Sequence, residues 1–172
     1  MLFSSPLFDD KSIPKIVMGA EVYLSHDISE YDGVKQLCYE NTDYMLLELS
    51  ARNDAAAISE WIYNLIIKGV RPIIAHIDRY SDGLEVMHEL SGLDVIYQIN
   101  ASKLLSFKGR MLFSKIFRHS ARVIVSSDMY NMSDRRCNLL QAFEISKNKY
   151  SKICSNMFEL GAQAILDNRT FM

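Results

Sequence analysis

In the segment RPIIAHIDRYSDG, residues 71 to 83, an aliphatic run ends in His76, and Asp78, Arg79 and Tyr80 follow at once. A strand that only filled a core would end in turn residues. This one ends in an imidazole, a carboxylate and a guanidinium, groups that bind metal ions and oxyanions. Comparable groups close or follow other apolar runs: Glu21 after Gly19-Ala20, Gln98 and Asn100 in IYQIN, and Asp128 after IVSS. Neutral imidazole and ionised carboxylate oxygen suit a divalent manganese, iron or zinc ion, so Glu21, His76 and Asp128 form a candidate ligand set. Singly, each has an ordinary reading: a strand-end histidine is commonly hydrogen-bonded structure, and a strand-end aspartate commonly caps a helix or turn. Their coincidence on three separate strands points to a site.

The elements that must position these groups alternate along the chain. KIVMGAEVYL (15 to 24), DYMLLELS (43 to 50), VRPIIAHI (70 to 77), LDVIYQIN (93 to 100) and ARVIVSSD (121 to 128) are short and apolar, as strands buried on both faces are. Between Asp54 and Lys68 the period changes: Ile58, Trp61, Ile62, Leu65 and Ile66 share one helical face, Asn53 or Asp54 can cap its start, and Gly69 can end it. Further helices are expected over 83 to 91, 108 to 120, 138 to 150 and 155 to 168. Strands alternating with helices imply an α/β domain with a parallel sheet, open or curved into part of a barrel. In such folds the carboxyl ends of the strands line the site.

The chain has 172 residues and 49% hydrophobic content, enough for one domain with its own core. Lys and Arg number 19 against 21 Asp and Glu and are dispersed, so no basic stripe argues for nucleic acid. The amino terminus lacks a signal-peptide pattern, and no stretch approaches the roughly 18 apolar residues of a membrane span. The protein is therefore expected in the cytoplasm, with no membrane insertion. Cys38, Cys137 and Cys154 are odd in number and form no C-x-x-C pair, which suits reduced, packed thiols. None can serve a cysteine phosphatase: its C-x₅-R loop needs an arginine six residues on, where this chain has Tyr44, Phe143 and Leu160.

GAEV, PIIAHIDRY, QINASKLL and IVSSDMYNMSDRR, in that order, resemble the bacterial metal-dependent protein tyrosine phosphatases of the polymerase and histidinol phosphatase (PHP) superfamily, which act in capsular and exopolysaccharide synthesis. The resemblance runs from about Ile16 to Asn168. It implies a distorted (β/α) barrel with mostly parallel strands, here incomplete. Residues 1 to 172 would form a single PHP-like domain lacking the family's amino-terminal H-x-H strand. It also implies a hydrolase acting on phosphotyrosine of a tyrosine kinase that controls capsular polysaccharide synthesis, with divalent metal ions, usually manganese. By motif, Glu21, His76 and Asp128 would bind metal, and Arg79 and Arg135 would hold the substrate phosphate.

Three positions depart from the family pattern: Tyr130 stands where histidine is usual, Ile77 for proline and Asp78 for glutamate. The resulting ligand set is short of a full cluster. Glu48 ends a strand and faces the same side in principle, while His26, His88 and His119 are read as loop or surface residues. Two alternatives stay open beside the phosphatase. One is a non-catalytic module in which the arginines bind phosphotyrosine or an acidic tail. The other is one half of a split enzyme, whose open sheet edges a second copy or a complementing chain would cover.

Overall fold

A computed structural model of the chain describes residues 16–50, 54–120, 122–131, 137–150, 154 and 156–170. Among these, five strands form one all-parallel sheet in the order of the sequence: β1 (Glu21–Leu24), β2 (Tyr44–Leu49), β3 (Arg71–Ile74), β4 (Ile96–Asn100) and β5 (Val123–Ser126). The helices are α1 (Ala55–Ile67), α2 (Gly83–Glu89), α3 (Ala101–Leu104), α4 (Phe107–His119), α5 (Leu139–Lys149) and α6 (Gly161–Leu166). Short 3-10 turns occupy Val34–Leu37 and Ile77–Arg79. The helix expected over 155 to 168 is a π-helical turn, Asn156–Leu160, running into α6.

Strand order decides the layering. Parallel strands joined in sequence by right-handed crossovers put their helices on the same side, as in a barrel, whereas a doubly wound sheet reverses direction and is covered on both. The side chains follow this arrangement. Leu24, Met45, Leu47, Leu49, Ile74, Tyr97, Ile99, Val123 and Val125 lie in the main core with Ile58, Ile62 and Leu65 of α1, Val86 and Met87 of α2, and Phe113 and Ile116 of α4. The alternate residues Tyr44, Ile73 and Ile96 form a second, smaller core with Ile165 of α6, flanked by Tyr39, Leu46 and Ile124. The sheet is thus the wall of an unclosed barrel, with α6 packed on its inner face.

α1 forms as its periodicity requires. Asp54 accepts a hydrogen bond from the Ala56 amide at 2.8 Å, satisfying one of the orphan donors of the first turn. Gly69, at φ 80°, supplies the left-handed residue after the last turn. Beneath the sheet, the carboxyl-terminal segment is tied to the amino ends of β2 and β3. Asn168 accepts from the Asp43 amide at 3.0 Å and donates to Asp43 Oδ2 at 3.1 Å. Arg71 donates to the Asn168 carbonyl at 3.0 Å, and Tyr44 Oη to that of Arg169 at 2.7 Å.

The first strand is shorter than the sequence suggests: residues 16–20 lie outside it, and Glu21 opens it. Cys38 and Cys154 are buried free thiols, as a packing role requires, whereas Cys137 is free and exposed. No helix among the described residues is long and apolar enough to cross a membrane.

Candidate metal and phosphate site

The inner face changes character along the strands. Its lower half is apolar, and the next residues of the same parity are polar: Glu48 follows Leu46 on β2, Gln98 and Asn100 follow Ile96 on β4, and Ser126 follows Ile124 on β5. This places a polar layer at the carboxyl ends. Glu21 of β1 lies in register with Leu46, two residues short of Glu48, and its side chain extends to the same layer.

β3 delivers the central group. The chain leaves the strand after Ile74, and His76 adopts φ 32° and ψ 52°, the left-handed region that histidine enters more readily than most residues but still at a cost. That turn brings Nε2 to 3.0 Å from Glu21 Oε1 and 3.6 Å from Glu48 Oε1. The ligand atoms of Glu21, Glu48 and His76 all lie within 4.8 Å of one another. The imidazole is buried, at 5% exposure, while the two carboxylates stay 44% and 40% exposed, so the cluster opens outward.

Two carboxylates converging on an imidazole make a strongly negative pocket with the hard oxygen and borderline nitrogen donors of a manganese, iron or zinc site. Without a cation the carboxylates repel each other; a divalent ion would remove that cost. The residues therefore fit one ion. The structure brings Glu21 and His76 together and adds Glu48. The sequence signal for Glu48 is the parity of DYMLLELS, in which Leu46 and Glu48 share a face; the nearly continuous apolar run hides that alternation.

Asp128 occupies a different arrangement. Like His76 it leaves its strand in the left-handed region, at φ 46°, and its carboxylate is paired with the Arg79 guanidinium. Arg79 sits on the 3-10 turn after β3, where its amide donates to the His76 carbonyl at 2.8 Å. One short turn thus joins the backbone of Arg79 to that of His76, and its head group reaches Asp128 in the segment that follows β5. Arg135 lies outside the described residues.

The surroundings stiffen this end of the sheet. The Leu49 amide donates to Tyr80 Oη at 2.8 Å, and the Tyr80 ring lies 5.9 Å from that of His76. Burial pushes the Tyr80 phenol up to about 12, with Glu48 and Glu21 adding to the shift, so it is neutral at physiological pH. Asp78, almost wholly buried, accepts from the Asn100 amide at 2.9 Å, and burial raises its carboxyl above the usual range. His26, His88 and His119 are exposed, the last at the end of α4.

Residues 8–167 match the family described as capsular polysaccharide synthesis, CpsB/CapC. The chain is 31% identical over 170 residues to the tyrosine-protein phosphatase CpsB of Streptococcus agalactiae, covering 90% of this chain and 69% of that protein. To the tyrosine-protein phosphatase YwqE of Bacillus subtilis it is 24% identical over 162 residues, covering 64% of its length. It also superimposes with a TM-score of 0.76, at 21% identity, on a chain from the crystal structures of YwqE and of CpsB from Streptococcus pneumoniae, described as unique metal-dependent tyrosine phosphatases; it covers 90% of this chain and 65% of that one.

Proposed function

The chain belongs to the CpsB/CapC family of capsular polysaccharide synthesis, and on that premise we propose that it is a metal-dependent phosphatase acting on phosphotyrosine of a bacterial tyrosine kinase in the cytoplasm. The observation that carries this reading is the convergence of Glu21, Glu48 and His76 donor atoms at the carboxyl rim of a parallel sheet, with His76 leading into the turn that also carries Arg79.

In this reading Glu21, Glu48 and His76 hold a divalent ion, by resemblance manganese, and Asp128 and Arg135 complete the site as a further ligand and a second phosphate-binding arginine. An ion held by Glu21, Glu48 and His76 would supply Lewis acidity toward a phosphoryl oxygen and toward an attacking water. Arg79 contributes orientation: a planar guanidinium grips two phosphate oxygens at once and offsets their charge. The neutral Tyr80 phenol and the buried Asp78 carboxylate anchor the turn that carries both His76 and Arg79, so that metal and phosphate groups keep a fixed separation.

The test is phosphate release from a phosphotyrosine peptide by the purified chain, titrated with manganese and then with chelator. Metal-dependent release that His76→Ala abolishes is the expected result. Phosphopeptide binding that survives chelator, depends on Arg79 and never yields phosphate would replace this reading with a non-catalytic binding module.

A further inference from the structure

We propose that Gln98 is the positioning residue of this site: its side-chain amide holds the backbone of His76 in the left-handed conformation that turns the imidazole toward Glu21 and Glu48. The functional consequence rests on the metal-site reading above; the geometry does not.

The regular ladder between β3 and β4 pairs Ile73 with Ile96 and Ile74 with Tyr97. Ala75 still donates to the Leu47 carbonyl of β2 at 2.8 Å. Immediately beyond, His76 leaves the strand while remaining 4% exposed, so its amide is withdrawn from water and from the ladder together. A buried amide without an acceptor is destabilising, because its lost hydration goes uncompensated. Left-handed backbone adds a steric cost for a residue with a Cβ. Gln98 Oε1 accepts that amide, a side chain standing in for the missing strand carbonyl.

The other end of the same amide is also committed. Gln98 Nε2 donates to Asn100 Oδ1 at 3.1 Å and to Ser126 Oγ at 2.6 Å. The His76 N–H fixes which end of the amide is oxygen, since the reversed orientation would set NH₂ against that donor and Oε1 against Asn100 Oδ1. A reciprocal link runs back from the turn, where Asp78 Oδ1 accepts the Asn100 amide. Two bonds in opposite directions therefore clamp the His76–Asp78 turn to the end of β4, and a third carries the clamp to β5. Gln98 itself is 5% exposed, and both ends of its amide are committed to His76, Asn100 and Ser126. Its action on the site passes through His76.

Two substitutions of similar volume separate this role from packing. Gln98→Glu keeps an acceptor for the His76 amide, and its second oxygen is accommodated when the Ser126 hydroxyl rotates, and the Asn100 amide flips, to donate to it. Gln98→Met removes the acceptor. Manganese titrated into each folded variant should show a Kd raised about 10- to 100-fold for Gln98→Met, the range for losing a residue that orients a ligand, and within about threefold of the parent for Gln98→Glu. In the metal-free protein, the His76 amide should lose hydrogen-exchange protection and the imidazole ¹⁵N signals should move in Gln98→Met alone. If Gln98→Met does not fold, Gln98→Asn, shorter by one methylene, should show the same losses.

Equal affinity in all variants, or equal losses in the Glu and Met forms, would overturn the proposal. A parent chain that binds no manganese would sink the metal reading instead. The exchange and ring signals would still decide what Gln98 does.

Discussion

Asp128→Asn offers a test in which two readouts should move in opposite directions. In the structure the Asp128 carboxylate occupies the Arg79 guanidinium, the group proposed to take the substrate phosphate. Arg79 is 36% exposed and Asp128 26%, so the pair is partly solvated, and its strength is that of a surface ion pair, about 0.5–1 kcal/mol. Removing the charge while keeping the shape should release that amount to a competing anion. At room temperature this corresponds to roughly two- to fivefold tighter binding of inorganic phosphate to the chelator-treated protein. The gain should shrink as ionic strength rises, because the groups are accessible to screening ions.

With manganese present, the same substitution removes a proposed ligand, and turnover of a phosphotyrosine peptide should fall by at least about tenfold. Isothermal titration with phosphate, on the parent, Asp128→Asn and Arg79→Ala, measures the first effect, and a phosphate-release assay measures the second. Phosphate binding that is unchanged or weaker in Asp128→Asn, while Arg79→Ala abolishes it, would show that the pair does not compete with the ligand. Unchanged turnover would remove Asp128 from the metal set.

Glu48→Gln should weaken manganese binding by at least about tenfold, since a neutral amide replaces one of two anionic ligands, yet leave the metal-free melting temperature unchanged or slightly raised by relieving repulsion with Glu21. Asn168→Ala should cost about 1–2 kcal/mol in denaturant unfolding, because two side-chain hydrogen bonds to Asp43 disappear, with no change in metal affinity. Asp43 supplies a pH signature: its hydrogen bonds with Lys35, first, and with Asn168 hold its carboxyl below the ordinary value of 3.8. A depressed folded pKa contributes stability that is present above the unfolded value and lost as pH falls through the folded one. The stability difference between the parent and Asp43→Asn should therefore be constant above about pH 5 and vanish on acidification below 3.8; a difference that grows with acid would contradict this assignment.

Much of the scaffold was legible along the chain because strand and helix periodicities are local. The five apolar runs each contain a strand, and Ile58, Ile62 and Leu65 bury the face of α1 that their spacing marks. The motifs around Glu21, His76 and Asp128 likewise pointed to the capsular-synthesis tyrosine phosphatases, in keeping with the family that residues 8–167 match. The composition of the pocket was less accessible. Glu48 sits in an apolar stretch whose alternation matters only once β2 is paired with β1 and β3, since that register decides which neighbours share its face.

Sequence alone determined that this chain is a parallel α/β protein with carboxylate, imidazole and guanidinium groups near its strand ends, because those signals reside in residue type and short-range spacing. Tertiary structure alone decided that Glu21 and Glu48 meet at His76, that Asp128 pairs with Arg79, and that Gln98 secures the turn between them. Those choices depend on strand register and on left-handed exits at His76 and Asp128, where contacts between distant segments outweigh the conformational preference of each residue.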